Sequence, residues 1–238
     1  MVKVITKRTV KNTVKTERKS KQFTSAVVEY MDFYLVFTKL SSESSNSKTG
    51  NVIQTYLIDK ENITERNIFG AKCSSCPMVE NCYVSRDKLT VRRSLLKLIT
   101  GEKTSYQFAT LSQVLPYLNN RVIRLGSYGD PSSIPIDDLK QIVNASKAHL
   151  GYTHFWKVIE PEYSKYLMAS TESLADSLLA NVLGYRAFQV LLKDQPLHEV
   201  TDNSIECLNA SHGLTCEQCK LCKGNLKGNL ANIYIHEH

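Results

Sequence analysis

The sequence predicts an α/β protein, an open and partial parallel barrel of βαβ units. Three observations predict it. Runs rich in β-branched and aromatic residues recur at Val52–Ile58, Arg121–Gly126, Tyr152–Val158, Tyr166–Ser170 and Tyr185–Leu192. Segments with helical apolar spacing stand between several of them. The strands so read number five or six, too few for a closed eight-stranded barrel. Strands alternating with helices of about 10 to 15 residues build parallel sheets with right-handed crossovers.

Each element has its own signal. Thr24–Leu40 is an apolar, β-rich stretch that reads as a strand or a strand pair. Ser41–Gly50 is a polar loop, and Val52–Ile58 is a strand. Val91–Thr100 is an amphipathic helix that Gly101 stops, and Leu111–Leu118 is a second short helix. The Arg121–Gly126 strand runs into Ser127–Pro131. Pro135–His149 is a helix, with Asp137 and Asp138 in its first turn where carboxylates suit the dipole. Ser173–Leu183 is a helix capped by Gly184, and Asn232–His236 is a last short strand. The chain divides into a basic arm (1–22), an α/β body (23–206) and a cysteine-rich C-terminal segment (207–238).

The formal charge of +7 is carried entirely by residues 1–22, where Glu17 is the single acid, so the body sums to zero. Such an arm is either a solvated tail or a contact for nucleic acid. No apolar run approaches the ~20 residues of a membrane span, and no membrane partner is expected. Met1–Arg8 lacks the apolar core and cleavage site of a secretory signal. A cytoplasmic location is therefore expected, where clustered cysteines are metal ligands more often than disulfides.

Those cysteines number seven and fall into two groups. Cys73, Cys76 and Cys82 follow the Val52–Ile58 strand; Cys207, Cys216, Cys219 and Cys222 stand near the C-terminal end. Two chemistries compete. Zinc takes four donors in a closed tetrahedron. An iron–sulfur cluster takes cysteine thiolates, and Cys216-x-x-Cys219-x-x-Cys222 has the tight run of a ferredoxin. With Cys207 the second group reaches four thiols, enough for a closed 4Fe–4S cluster. The first has three, which leaves one iron open to a ligand. One cluster sharing ligands from both groups is a further arrangement.

Cys82-Tyr83, closing a cysteine group after a first strand, resembles the end of the cluster loop of radical S-adenosylmethionine (SAM) enzymes. The spacing departs from the usual Cys-x-x-x-Cys-x-x-Cys: here it is Cys-x-x-Cys-x-x-x-x-x-Cys. Gly129-Asp130-Pro131 is similar to the Gly-Gly-Glu-Pro segment that helps hold the SAM amino group. The resemblance implies a radical-SAM-like barrel, with Tyr83, Gly129, Asp130 and Ser170 near the cofactor. Residues 45–238 also resemble a family of phage- and plasmid-encoded iron–sulfur proteins of unknown function. The matching features are Asn46–Gly50, Cys76-Pro77 with Cys82-Tyr83, Arg124 with Gly129-Asp130, and Cys216 to Cys222. That resemblance implies one or two 4Fe–4S clusters and a host-cytoplasmic protein.

Function is thus open between a SAM-using enzyme and a non-catalytic iron–sulfur or zinc protein with a structural, redox-sensing or nucleic-acid-binding role. Several side chains also have plain structural readings. His154 and Trp156 alternate on one expected strand and either line a pocket or pack the core. Arg124 is an ion-pair partner of Asp130 or an anion contact. The Ser170–Ser173 stretch caps the next helix or meets a ligand. His236 is a tail residue or an extra cluster ligand.

Overall fold

A computed structural model describes residues 22–61, 63, 70–80, 82, 90–192, 195–225, 228 and 231–236. Almost the whole basic arm, Tyr83 and His238 lie outside the described residues. The strands are β1 (Ser25–Glu29), β2 (Phe33–Thr38), β3 (Val52–Asp59), β4 (Tyr106–Phe108), β5 (Val122–Tyr128), β6 (Ala148–Leu150), β7 (Tyr152–Thr153), β8 (Met168–Thr171), β9 (Ala187–Leu191), β10 (Ser204–Glu206) and β11 (Asn232–His236). The helices are α1 (Thr90–Ile99), α2 (Leu111–Val114), α3 (Ile136–Ala145), α4 (Leu174–Val182), α5 (Leu208–His212) and α6 (Cys216–Cys219).

One sheet has the order β4-β1-β2-β3-β5-β6 and the other β10-β11-β9-β8-β7. Gly151 alone separates β6 from β7, so Ala148–Thr153 joins the sheets edge to edge. From β3 onward every pairing is parallel: β3 with β5, β5 with β6, and β7, β8, β9, β11 and β10 in turn. The expected parallel sheet is found there, and β4 and β10 end the two sheets without closing them into a barrel. The first three strands depart from it. β1, β2 and β3 pair antiparallel; for β1 and β2 the Tyr30–Asp32 turn, with Tyr30 N–H on the Phe33 carbonyl at 2.9 Å, is too short for a crossover.

Alternation along β3 and β5 sorts the core onto two faces. Ile53, Leu57, Ile123 and Leu125 point to one side, where they pack with Leu139 and Ile142 of α3 and with Val114 and Leu118. This is the larger core, and each fully buried Leu or Ile stabilises the fold by roughly 1.5–3 kcal/mol. Val52 and Ile58 point the opposite way. Ile58 meets Val91 and Leu95 of α1 and the half-buried Cys73. Val52 meets Val122, Leu150, Cys216 and Cys222. Cys73 of the first group and Cys216 and Cys222 of the second therefore pack on one sheet face, against residues six apart on β3, about 20 Å of strand.

Two expected elements are shorter than the sequence suggested. The helix from Pro135 ends at Ala145, and Ser146 is already extended so that Ala148–Leu150 can join β5. The expected Tyr152–Val158 strand stops at Thr153. Thr153 Oγ1 accepts the Phe155 N–H at 3.0 Å and Asp130 Oδ2 accepts the His154 N–H at 2.9 Å. Both bonds pull the chain out of the ladder. His154 and Trp156 accordingly share no strand face.

Candidate metal centre

The first cysteine group is held where β3 and β5 end. Beyond β3 the chain returns alongside it: Gly70 bridges Ile58, and the Ala71 N–H meets the Leu57 carbonyl at 3.0 Å. The Asp130 N–H then meets the Ala71 carbonyl at 3.0 Å, tying the loop to the turn after β5. Gly129 has φ +79°, and a Cβ there would lie 2.3 Å from the Leu57 carbonyl oxygen. Only glycine allows this approach. A 3₁₀ turn over Cys73–Ser75 sets Cys76 beside Cys73, with the Cys76 N–H on the Cys73 carbonyl at 3.1 Å.

Burial is the first cause that pushes the Cys73 thiol up to about 12. The neighbouring Cys76, Asp130 and Cys82 groups add to it, and a hydrogen bond from the Gly129 N–H opposes it. The three thiols are thus within electrostatic reach of one another. His154 stands against Cys76. Burial disfavours its charge, but its bonds to Cys76 and to Glu172 outweigh that and hold it up to about 10. Its Nε2 lies 3.5 Å from Glu172 Oε1. The Lys72 ammonium donates to the Ser132 carbonyl and hydroxyl, each at 3.0 Å, and lies 5.5 Å from the Phe155 ring centroid.

The residues expected near a cofactor divide. Gly129 reaches Cys73 through its N–H. Asp130 is 6% exposed, and its carboxylate accepts the Ser132 and His154 N–H groups at 2.9 Å each. Ser170 is buried, with its carbonyl accepting the Trp156 indole N–H at 2.9 Å. Trp156 packs with Ala169, Ala180 and Tyr185, which is a core role. The helix cap is Ser173, whose Oγ accepts the Asp176 N–H at 3.1 Å.

The second group gathers at the opposite end of the same face. Burial pushes the Cys222 thiol up, and Cys216, Cys207 and Cys219 push it further against the opposing charge of Arg186. Cys216 is raised by burial first, with Arg124 acting against it. Cys207 and Cys219 thus lie within electrostatic reach of both Cys216 and Cys222. Among the described residues, no three Cys, His, Asp or Glu side chains converge closely enough to hold a single metal ion. Arg124 donates to the Tyr152 hydroxyl at 3.1 Å. His236 faces the Leu192 carbonyl at 3.3 Å.

Local sequence explains how these thiols are set. Thr215 and Gln218 form a capping box that starts α6 at Cys216. The polar loop before β3 then grips that helix. The Cys216 N–H meets the Lys48 carbonyl and the Glu217 N–H the Thr49 carbonyl, both at 3.0 Å. Glu217 Oε2 accepts the Asn51 N–H at 2.8 Å, and a Cβ on Gly50 (φ +74°) would lie 2.8 Å from that oxygen. On the other side the Gly151 N–H meets the Cys222 carbonyl at 2.9 Å. Sequence reasoning missed this docking. The Asn-Ser-Lys-Thr-Gly string was visible, but its partner is more than 160 residues away.

Comparison with protein-family models, with curated proteins and with solved structures returns no match, so the functional reading rests on the geometry itself.

Proposed function

We propose that this chain is an iron–sulfur protein of the phage or mobile-element kind, with two cysteine-held centres and a radical-SAM-like site at the first. The observation that carries the reading is the gathering of the seven cysteines into two groups, with Cys73 of one and Cys216 and Cys222 of the other packed against the same face of β3. The first lies beyond the carboxyl ends of parallel strands, where open α/β sheets bind ligands. The donor sets fit clusters: four thiols suit a closed 4Fe–4S group, and three leave one iron free of protein ligands.

When bound, a cluster of the first kind supplies an iron position for SAM and an electron for its reductive cleavage. The chain's own residues orient that centre. The Gly129 N–H and the His154 imidazole bond the sulfurs of Cys73 and Cys76. Asp130 fixes His154 through its backbone.

The test is anaerobic reconstitution with iron and sulfide quantification. About eight iron atoms per chain are expected if both centres hold 4Fe–4S clusters; a colourless protein with stoichiometric zinc overturns the reading. SAM added to the dithionite-reduced protein is expected to change its EPR spectrum and to be cleaved. A second, non-catalytic reading is favoured by one observation, that His154 lies against Cys76 and, once deprotonated by metal binding, would close the three-thiol centre as a fourth ligand. In that case SAM leaves the spectrum unchanged.

A further inference from the structure

Arg186 is 2% exposed, and its hydrogen bonds among the described residues all go to carbonyl oxygens. Nη1 donates to Leu221 at 2.7 Å and to Lys223 at 2.6 Å, and Nε donates to Ala231 at 2.9 Å, with Nη2 on the same Ala231 oxygen. Leu221 and Lys223 flank Cys222. One guanidinium thus pins both sides of a single cysteine, and its charge and the Cys222 sulfur lie within electrostatic reach.

A guanidinium stays charged in proteins. Carbonyl dipoles satisfy its donors but bring no net negative charge, and a buried cation without an anion is strongly disfavoured. Among the described residues, none of its bonded partners is a carboxylate. Thiolates coordinating a metal are deprotonated outright, so a loaded four-cysteine centre supplies the missing anion beside it. Arg124, on β5, lies within electrostatic reach of Cys216 in the same group.

We infer that Arg186 is the built-in counter-charge and positioning residue of the C-terminal centre, holding the Leu221–Lys223 turn in shape and favouring the electron-rich state of the cluster bound there. This rests on the cluster reading above. The centre would take one electron from dithionite, and a fixed positive charge beside it moves its reduction potential upward.

The experiment uses the full chain with Cys73, Cys76 and Cys82 changed to Ala, so that only the C-terminal centre loads. Iron and sulfide content, EPR-monitored reduction potential and the rate of iron loss to a chelator are measured. Arg186→Met is expected to shift the potential to more negative values. Arg186→Lys keeps the charge but not the fork; it is expected to hold a near-parental potential and to lose iron about 10-fold faster or more. A parental potential in Arg186→Met overturns the counter-charge role. If Arg186→Met does not fold, Arg186→Lys decides, and a parental rate of iron loss there overturns the positioning role. If the parent binds no iron and sulfide, both this inference and the cluster reading fall. A loaded parent with an indifferent Arg186 removes this inference alone.

Discussion

The carboxylate of Asp130 accepts the backbone N–H of His154 at 2.9 Å while its other oxygen accepts that of Ser132 at the same distance. One buried side chain thereby fixes the turn after β5 and the exit from β7, and through them the imidazole that meets Cys76. Asp130→Ala leaves two inward-facing N–H groups unsatisfied and is expected to cost roughly 3 kcal/mol. Asp130→Asn keeps one acceptor and is expected to cost about half of that. Urea denaturation of the two variants checks the order, and iron retention at the first centre is expected to follow it.

Gly129 has no room for a methyl group, since a Cβ would sit 2.3 Å from the Leu57 carbonyl oxygen at a positive φ. Gly129→Ala is expected to destabilise by at least roughly 2 kcal/mol. It should also shift the N–H that reaches Cys73. A shifted urea midpoint together with a changed EPR line shape of the first centre is the expected result.

The grip of the polar loop on α6 gives a separate prediction. Gly50→Ala pushes against Glu217, which bonds Asn51. Iron is expected to be lost from the C-terminal centre while the first centre keeps its content. Iron quantification in the two backgrounds that each lack one cysteine group reads the difference.

His149 sets a pH dependence. It is 6% exposed, and its Nε2 faces the Tyr166 carbonyl at 2.9 Å. Burial is the main reason its pKa falls to about 4; the Tyr166 carbonyl opposes the shift and Lys223 adds to it. The unfolded chain binds this proton near pH ~6.5. Between those values the unfolded state holds more protons than the native state, so stability falls as the pH drops through that window and levels off below it. The loss attributable to this group is of the order of 3 kcal/mol. Urea midpoints at about pH 7 and about pH 4.5 are expected to differ more in the parent than in His149→Gln.

The strands were legible where alternation had length to show itself. Val122 to Leu125 alternates between a helix-covered side and a cysteine-bearing side, and β3 repeats the pattern. The exit at Thr153 was not legible, because it depends on Asp130, a partner 24 residues upstream. β4 and β10 are three residues each, too short for any period to register. The two cysteine groups were visible as spacing. The parts that aim them were not: the Lys48–Asn51 loop, the Gly129 N–H and Arg186 act through backbone atoms or across large sequence separations, where side-chain pattern carries no signal.

The order β9-β11-β10 has a kinetic consequence. Among the described residues β10 pairs with β11 alone, and β11 is later in sequence than the cysteine segment it helps to frame. Cys207 also takes its backbone partner, the Tyr234 carbonyl, from β11. During synthesis the four C-terminal thiols emerge before the strand that seats them, and non-local pairing of this kind closes late. The backbone that seats those thiols is therefore complete only once β11 has paired with β9 and β10.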